Sequence, residues 1–149
     1  MSESVWIKAY VRELLRELWH QPEILEDEDE DGDVPFRHGT AAGWVGVVDG
    51  SPPMVRVFAH AATGVRQTFK LLRELNEIQL SARSASIAVA GDVVIVWQTL
   101  SPIGLTAPVL RQALTAVGGV ADSVGMLVAS VFDGQTPYPV ERPESEDAR

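Results

Sequence analysis

The sequence predicts an α+β fold, an antiparallel sheet of about five strands flanked by three helices, in the order α-β-β-β-α-β-β-α. Three observations predict it. Three segments repeat apolar residues at helical spacing, and five short ones alternate with period two. The strands come in runs separated by turn residues at hairpin distances, so neighbours are antiparallel. Helices do not alternate one for one with strands, which argues against a doubly wound parallel sheet.

Ser4 to His20 forms the first helix. Ile7, Val11, Leu14, Leu15 and Leu18 make its apolar stripe, widened by Trp6, Tyr10 and Trp19, while Arg12, Glu13, Arg16 and Glu17 face water. Pro22 stops it. An acidic run follows and closes on Asp31-Gly32-Asp33, a turn in which Gly takes positive φ and Asp caps. Strands are expected at Val34 to His38, Gly43 to Val48 and Met54 to His60, the last two joined by the loop Asp49 to Pro53. Gly39, Gly43 and Gly46 mark a bulge or close packing. A second helix is expected from Thr63 or Gly64 to about Gln79, with Val65, Phe69, Leu72 and Leu75 as its apolar face and Leu71 and Ile78 alongside.

Ser84 to Ala90 and Val93 to Leu100 make the clearest hairpin, with Gly91-Asp92 as a two-residue loop of the type II′ kind. Thr106 then caps a long helix with Pro108 in its first turn, running almost to Phe132. Gly118-Gly119 lies inside it, where each Gly costs about 1 kcal/mol relative to Ala. A kink or a close helix-to-sheet contact there accounts for the pair. Ala113 to Val131 holds a single charge in 19 residues, long enough to raise the question of a membrane span. Its glycines, serines, threonine and Asp122 favour a helix buried across a sheet. Residues 1–139 are expected to form one domain and 140–149 an acidic, disordered tail.

The net charge of −9 is unevenly placed. Glu26 to Asp33 holds seven acids in eight residues, and Glu141 to Arg149 adds four. Between Val34 and Val140 seven basic and six acidic residues leave a net of +1. No basic cluster exists, so nucleic acid is not an expected partner. The polar start Met1-Ser2-Glu3-Ser4 gives no sign of a secretory leader, and a cytoplasmic location is the expectation.

Catalytic patterns are missing. With no cysteine, thiol nucleophiles and zinc-thiolate sites are excluded. Neither a nucleophile elbow nor a phosphate-cradling Gly-rich loop occurs. Asp27 to Val34 imitates the first eight positions of a calcium-binding EF-hand loop, but Pro35 follows and His38 stands where a bidentate Glu belongs. His20, His38 and His60 are 18 and 22 residues apart, outside any helical ligand pair. Asp122 is the one acid within the last helix, placed at a wet edge rather than as a buried general acid. No catalytic, metal or cofactor-binding residues are therefore assigned, and no cofactor is expected.

The faces of the sheet are more informative. The Gly91-Asp92 loop pairs Ala90 with Val93, Val89 with Val94, Ala88 with Ile95 and Ile87 with Val96, and cross-strand partners share a face. One face carries Ile87, Val89, Val94 and Val96, joined by Val55, Val57 and Ala59, and belongs under the helices. The other carries Val93, Ile95 and Trp97, joined by Met54, Arg56, Phe58 and His60. A water-facing sheet surface should alternate to polar residues, and this one does not. Trp97, Ile95, Val93, Phe58, Met54 and Arg56 are therefore the candidate partner-binding residues, for a protein or peptide or for a second copy in a homodimer.

The layout, with Asp31-Gly32-Asp33-Val34 before a strand, Leu71-Leu72-Arg73-Glu74-Leu75-Asn76 in the middle helix and Ala121-Asp122 in the last, resembles the YbjN-like and type III secretion chaperone-like (CesT-type) group over roughly Val5 to Pro139. That resemblance implies an antiparallel sheet flanked by helices, frequent homodimers, and binding of protein or peptide segments without chemistry. The functional expectation is a non-catalytic, chaperone-like module that uses its apolar sheet face, with the acidic run adding electrostatic selection. A dimeric regulatory protein docking to one partner is the alternative, ahead of a small-molecule-binding domain or enzyme with a pocket between sheet and long helix.

Overall fold

In the computed structural model, residues 3–19, 32–82 and 84–140 are described. Helix α1 (Glu3–Trp19) is followed by strands β1 (Val34–His38), β2 (Ala41–Val48) and β3 (Met54–Ala62), helix α2 (Phe69–Ser81), strands β4 (Ser86–Ala90) and β5 (Val93–Leu100), and helix α3 (Ala107–Val131). The strands form a single antiparallel sheet in the order β1-β2-β3-β5-β4. This is the α+β fold and element order that the sequence predicts. The EF-hand-like acids 27–31, His20, Trp19's side chain and the tail 141–149 lie outside the described residues.

The β4–β5 hairpin has the inferred register, Ala90 opposite Val93 and Ile87 opposite Val96. Its loop begins with Gly91 at φ 62°, where a side chain is disfavoured. Val55, Val57, Ala59, Val94 and Val96 are fully buried with Val45 of β2, so the aliphatic set does lie under the helices. Val11, Leu14 and Leu15 of α1, Leu71 and Leu75 of α2 and the inner side of α3 complete one core.

Thr106 caps α3 through its hydroxyl, with Pro108 in the first turn. By length and composition α3 could cross a membrane. Nine of its residues are instead buried in the protein, from Leu110 to Val128. Small residues let it lie close to the strands. A Cβ on Gly118 would come within 2.6 Å of His38 on β1, and one on Gly125 would strike the Ala61 carbonyl oxygen on β3. Gly119 has open space around it, so the close contact belongs to Gly118. Gly43 likewise leaves room for the Phe36 ring on β1, and Gly46 for the carboxylate of Asp33, the residue just before β1.

Two helical expectations need correction. Helix α2 begins at Phe69 behind the Thr68 cap, not at Thr63 or Gly64. Thr63 forms a bridge with Gln135, and the Val65 N–H donates to the Asp92 carbonyl at 3.0 Å, so both residues already have backbone partners outside a helix. The buried stripe is consequently Leu71 and Leu75 with Ile78, whereas Phe69 and Leu72 face outward, Phe69 at 81% exposure. On α1, Trp6 does not widen the buried stripe either; it is exposed. Tyr10 is half-exposed and donates its hydroxyl to the Leu105 carbonyl at 2.6 Å.

Candidate functional site

The parity of each strand assigns the second sheet face residue by residue. Arg56, Phe58 and His60 of β3 sit opposite Thr99, Trp97 and Ile95 of β5, and on the other side opposite Gly46, Trp44 and Ala42 of β2. Cross-strand pairs share a face, so these side chains form three adjacent rows. The helices take the opposite face, where the buried aliphatic residues are. Trp44, Arg56, Phe58, His60, Ile95 and Trp97 are all only partly buried.

Aromatic side chains dominate the surface. Trp44 and Phe58 stack with centroids 5.5 Å apart and planes at 22°. The His60 ring leans on Trp44 at 4.7 Å and 60°. Such offset arrangements are worth about 0.5–1.5 kcal/mol per pair beyond the area they bury. Arg56 reaches over the same surface, its guanidinium carbon 5.7 Å from the Phe58 centroid and 5.5 Å from that of Trp97. Burial pushes the His60 imidazole below its ordinary pKa, since desolvation disfavours the charged form, so the ring is neutral at pH 7.

Of the six residues singled out from sequence, Trp97, Ile95, Phe58 and Arg56 come together in these rows. Met54 lies at one end of the face, opposite Val48, and Val93 at the other, beside the Gly91-Asp92 turn. Sequence reasoning missed Trp44, which completes the aromatic platform. The signal was available: period two from Val45, once Val45 is placed in the core, turns Trp44 to the other side.

Asp122 has a structural task. Its Oδ1 accepts from the Thr40 N–H at 2.8 Å and the Thr40 hydroxyl at 2.6 Å, tying α3 to the β1–β2 turn. These bonds, the hydroxyl foremost, hold the carboxyl below its ordinary pKa; His38 adds a small attraction and burial opposes it. Among the described residues no three His, Asp or Glu side chains converge on a point that could hold a metal ion. A cleft of about 820 Å³ lies between α1, α3 and the α2–β4 connection, lined by Leu18, Ala107, Pro108, Arg111 and Thr115 among others. It contains none of the sheet-face residues.

Residues 6–140 match the family model of the type III secretion system (YopN, CesT) and YbjN peptide-binding chaperone 1, TY-Chap1. The chain belongs to this family. The match takes in α1 from its fourth residue, both other helices and all five strands, and it agrees with the resemblance drawn from the sequence. No curated protein matches the chain. The TY-Chap1 description is of a peptide-binding chaperone, a role that requires a surface rather than a reaction centre.

Proposed function

We propose that this TY-Chap1 protein binds extended protein or peptide segments on the sheet face opposite its helices, without chemistry, and that residues 1–139 act as one binding module. The observation that carries the proposal is the platform of Trp44, Phe58 and Trp97, only partly buried on a sheet face whose other side already supplies the core. Aromatic residues that are partly desolvated before binding, rigid and flanked by smaller side chains are the usual energetic anchors of interfaces. Phe58, Trp97, Ile95 and Arg56 form the centre of the proposed surface, Met54 and Val93 its ends, and Trp44 and His60 extend it toward β1.

The test is the double variant Trp97→Asp with Ile95→Lys, compared with the wild type on a peptide array, with circular dichroism and light-scattering mass on the same samples. Both side chains point away from the core, so the variant is expected to keep its fold. Loss of an aromatic anchor is worth about 2 kcal/mol or more, roughly a 30-fold loss of affinity. Undiminished peptide binding by a folded variant overturns the proposal, and unfolding means the face assignment is wrong. A wild-type dimer that becomes a folded monomer on substitution would favour self-association as the use of this face.

A further inference from the structure

Arg56 places a cation among the aromatic rings of the open face. Arg56 is half-buried, and its Nε is fully buried with no hydrogen-bond partner among the described residues. The guanidinium instead contacts the Phe58 and Trp97 rings. A ring face attracts a cation but accepts no directed N–H bond as a carboxylate does. Guanidinium donors converge in a planar fork, and carboxylate is the group that matches that fork with two parallel bonds.

Charge on the surrounding face is sparse. His60 sits two rows away, beyond the Phe58 row, and is neutral at pH 7. On the Arg56 row the cross-strand neighbours are Gly46 and Thr99, neither of which is ionisable. Asp33 is the nearest acid by register, its carboxylate lying over Gly46 at the β1 side of the row. Arg37, two rows away toward the β1–β2 turn, is stacked on Tyr138 at 4.2 Å. A partner crossing the aromatic platform would thus desolvate Arg56 further. Burying a charge is costly and Asp33 is the nearest acid on its row, so a partner that brings a carboxylate of its own is favoured over a wholly apolar one at this point.

We propose that Arg56 reads a carboxylate, so that the segment this face takes is an acidic-apolar one, carrying an Asp or Glu side chain within two positions of an aromatic or large aliphatic residue. The inference rests on the reading of the face as the peptide-binding surface. A charge-assisted, partly desolvated pair of this kind makes Asp or Glu preferred over Asn or Gln by about 10- to 100-fold.

A positional-scanning library of seven-residue peptides, each with a fixed Trp and one scanned position, tests it on the full chain at low and high salt. The wild type is expected to select both Trp and an acidic residue. Arg56→Met, which keeps the length of the apolar stem, should retain selection of Trp and lose selection of Asp and Glu; Arg56→Lys should retain part of it. Acidic selection that survives in Arg56→Met, or apolar selection with no acidic preference in the wild type, overturns the role of Arg56 and leaves the peptide-binding face standing. No selection of any peptide by the wild type overturns both. A wild-type dimer whose mass halves in Arg56→Met places a second copy's carboxylate on Arg56 and overturns the external peptide as its occupant. Circular dichroism of each variant separates these outcomes from unfolding.

Discussion

Replacing Asp122 should loosen the attachment of the long helix to the sheet without touching the open face. Its Oδ1 receives two bonds from Thr40, a residue only 3% exposed, and a Cβ on Gly39 would come within 2.5 Å of the same carboxylate oxygen. Hydrogen bonds to a charged acceptor contribute about 1.5–3 kcal/mol each, and two sharing one partly exposed oxygen fall short of additivity. Asp122→Ala also leaves the buried Thr40 donors without a partner, so a loss of about 2–4 kcal/mol is expected. Asp122→Asn keeps an acceptor oxygen and loses the charge, and about 1–2 kcal/mol is expected for it. Urea unfolding of the three proteins at pH 7 measures both differences. Since the folded carboxyl titrates below its ordinary value of 3.8, the unfolded chain takes up the proton first. The stabilisation is therefore fully present above the unfolded pKa and is lost as pH falls through the folded one. The gap between wild type and Asp122→Asn should be constant from pH 7 to 5 and narrow below about pH 4. An Asp122→Ala protein within 0.5 kcal/mol of wild type at pH 7 would refute the view that this carboxylate holds helix and turn together.

Further outcomes follow from the packing of the helices. Gly125→Val should prevent folding or cost about 3 kcal/mol or more, because its Cβ would meet the Ala61 carbonyl oxygen, part of a central strand that cannot shift; thermal unfolding reads it. Gly119→Ala on the same helix meets no atom and should stabilise by about 0.5–1 kcal/mol. On α2, Leu71→Ala should cost about 2–5 kcal/mol, whereas Phe69→Ser should lie within about 0.5 kcal/mol of wild type in urea unfolding, although sequence periodicity puts Phe69 on the apolar face and Leu71 only alongside it.

Where local chemistry sets the geometry, the sequence was readable. Gly91-Asp92 fixes the β4–β5 register, and that register sorts both strands into faces without further information. Thr106 and Pro108 mark the start of α3 because capping and a fixed φ act within one turn. The start of α2 was not readable in the same way. Val65 continues the helical period of Phe69 and Leu72, but its backbone N–H bonds to Asp92, a contact made only in the folded chain, and it stays outside the helix. The Thr68 side chain, accepting from the Leu71 N–H, was the local signal that competed with that period. The candidate surface was legible as far as one strand and one hairpin reached. Trp97, Ile95, Phe58 and Arg56 follow from parity alone, but their juxtaposition depends on β3 pairing with β5 rather than with β4, a long-range choice. The Trp44–Phe58 stack likewise depends on the β2–β3 register across the loop 49–53.

The arrangement of small residues on α3 bears on why one sheet face remains free for aromatic side chains. Gly118, Ala121 and Gly125 are buried against the strands, so the helix lies close to the sheet and the short side chains Val57, Ala59 and Val96 suffice to fill the space beneath it. Larger residues on that side would clash, as the Gly118 and Gly125 environments show. The large rings of β2, β3 and β5 are therefore confined to the opposite parity, where no close helix limits their volume. Substitutions on the two faces should then separate cleanly, those on the helix side registering in stability and those on the aromatic side in binding. Double variants drawn one from each face are expected to add in free energy, since the backbone of the strands lies between them and no side-chain contact is shared.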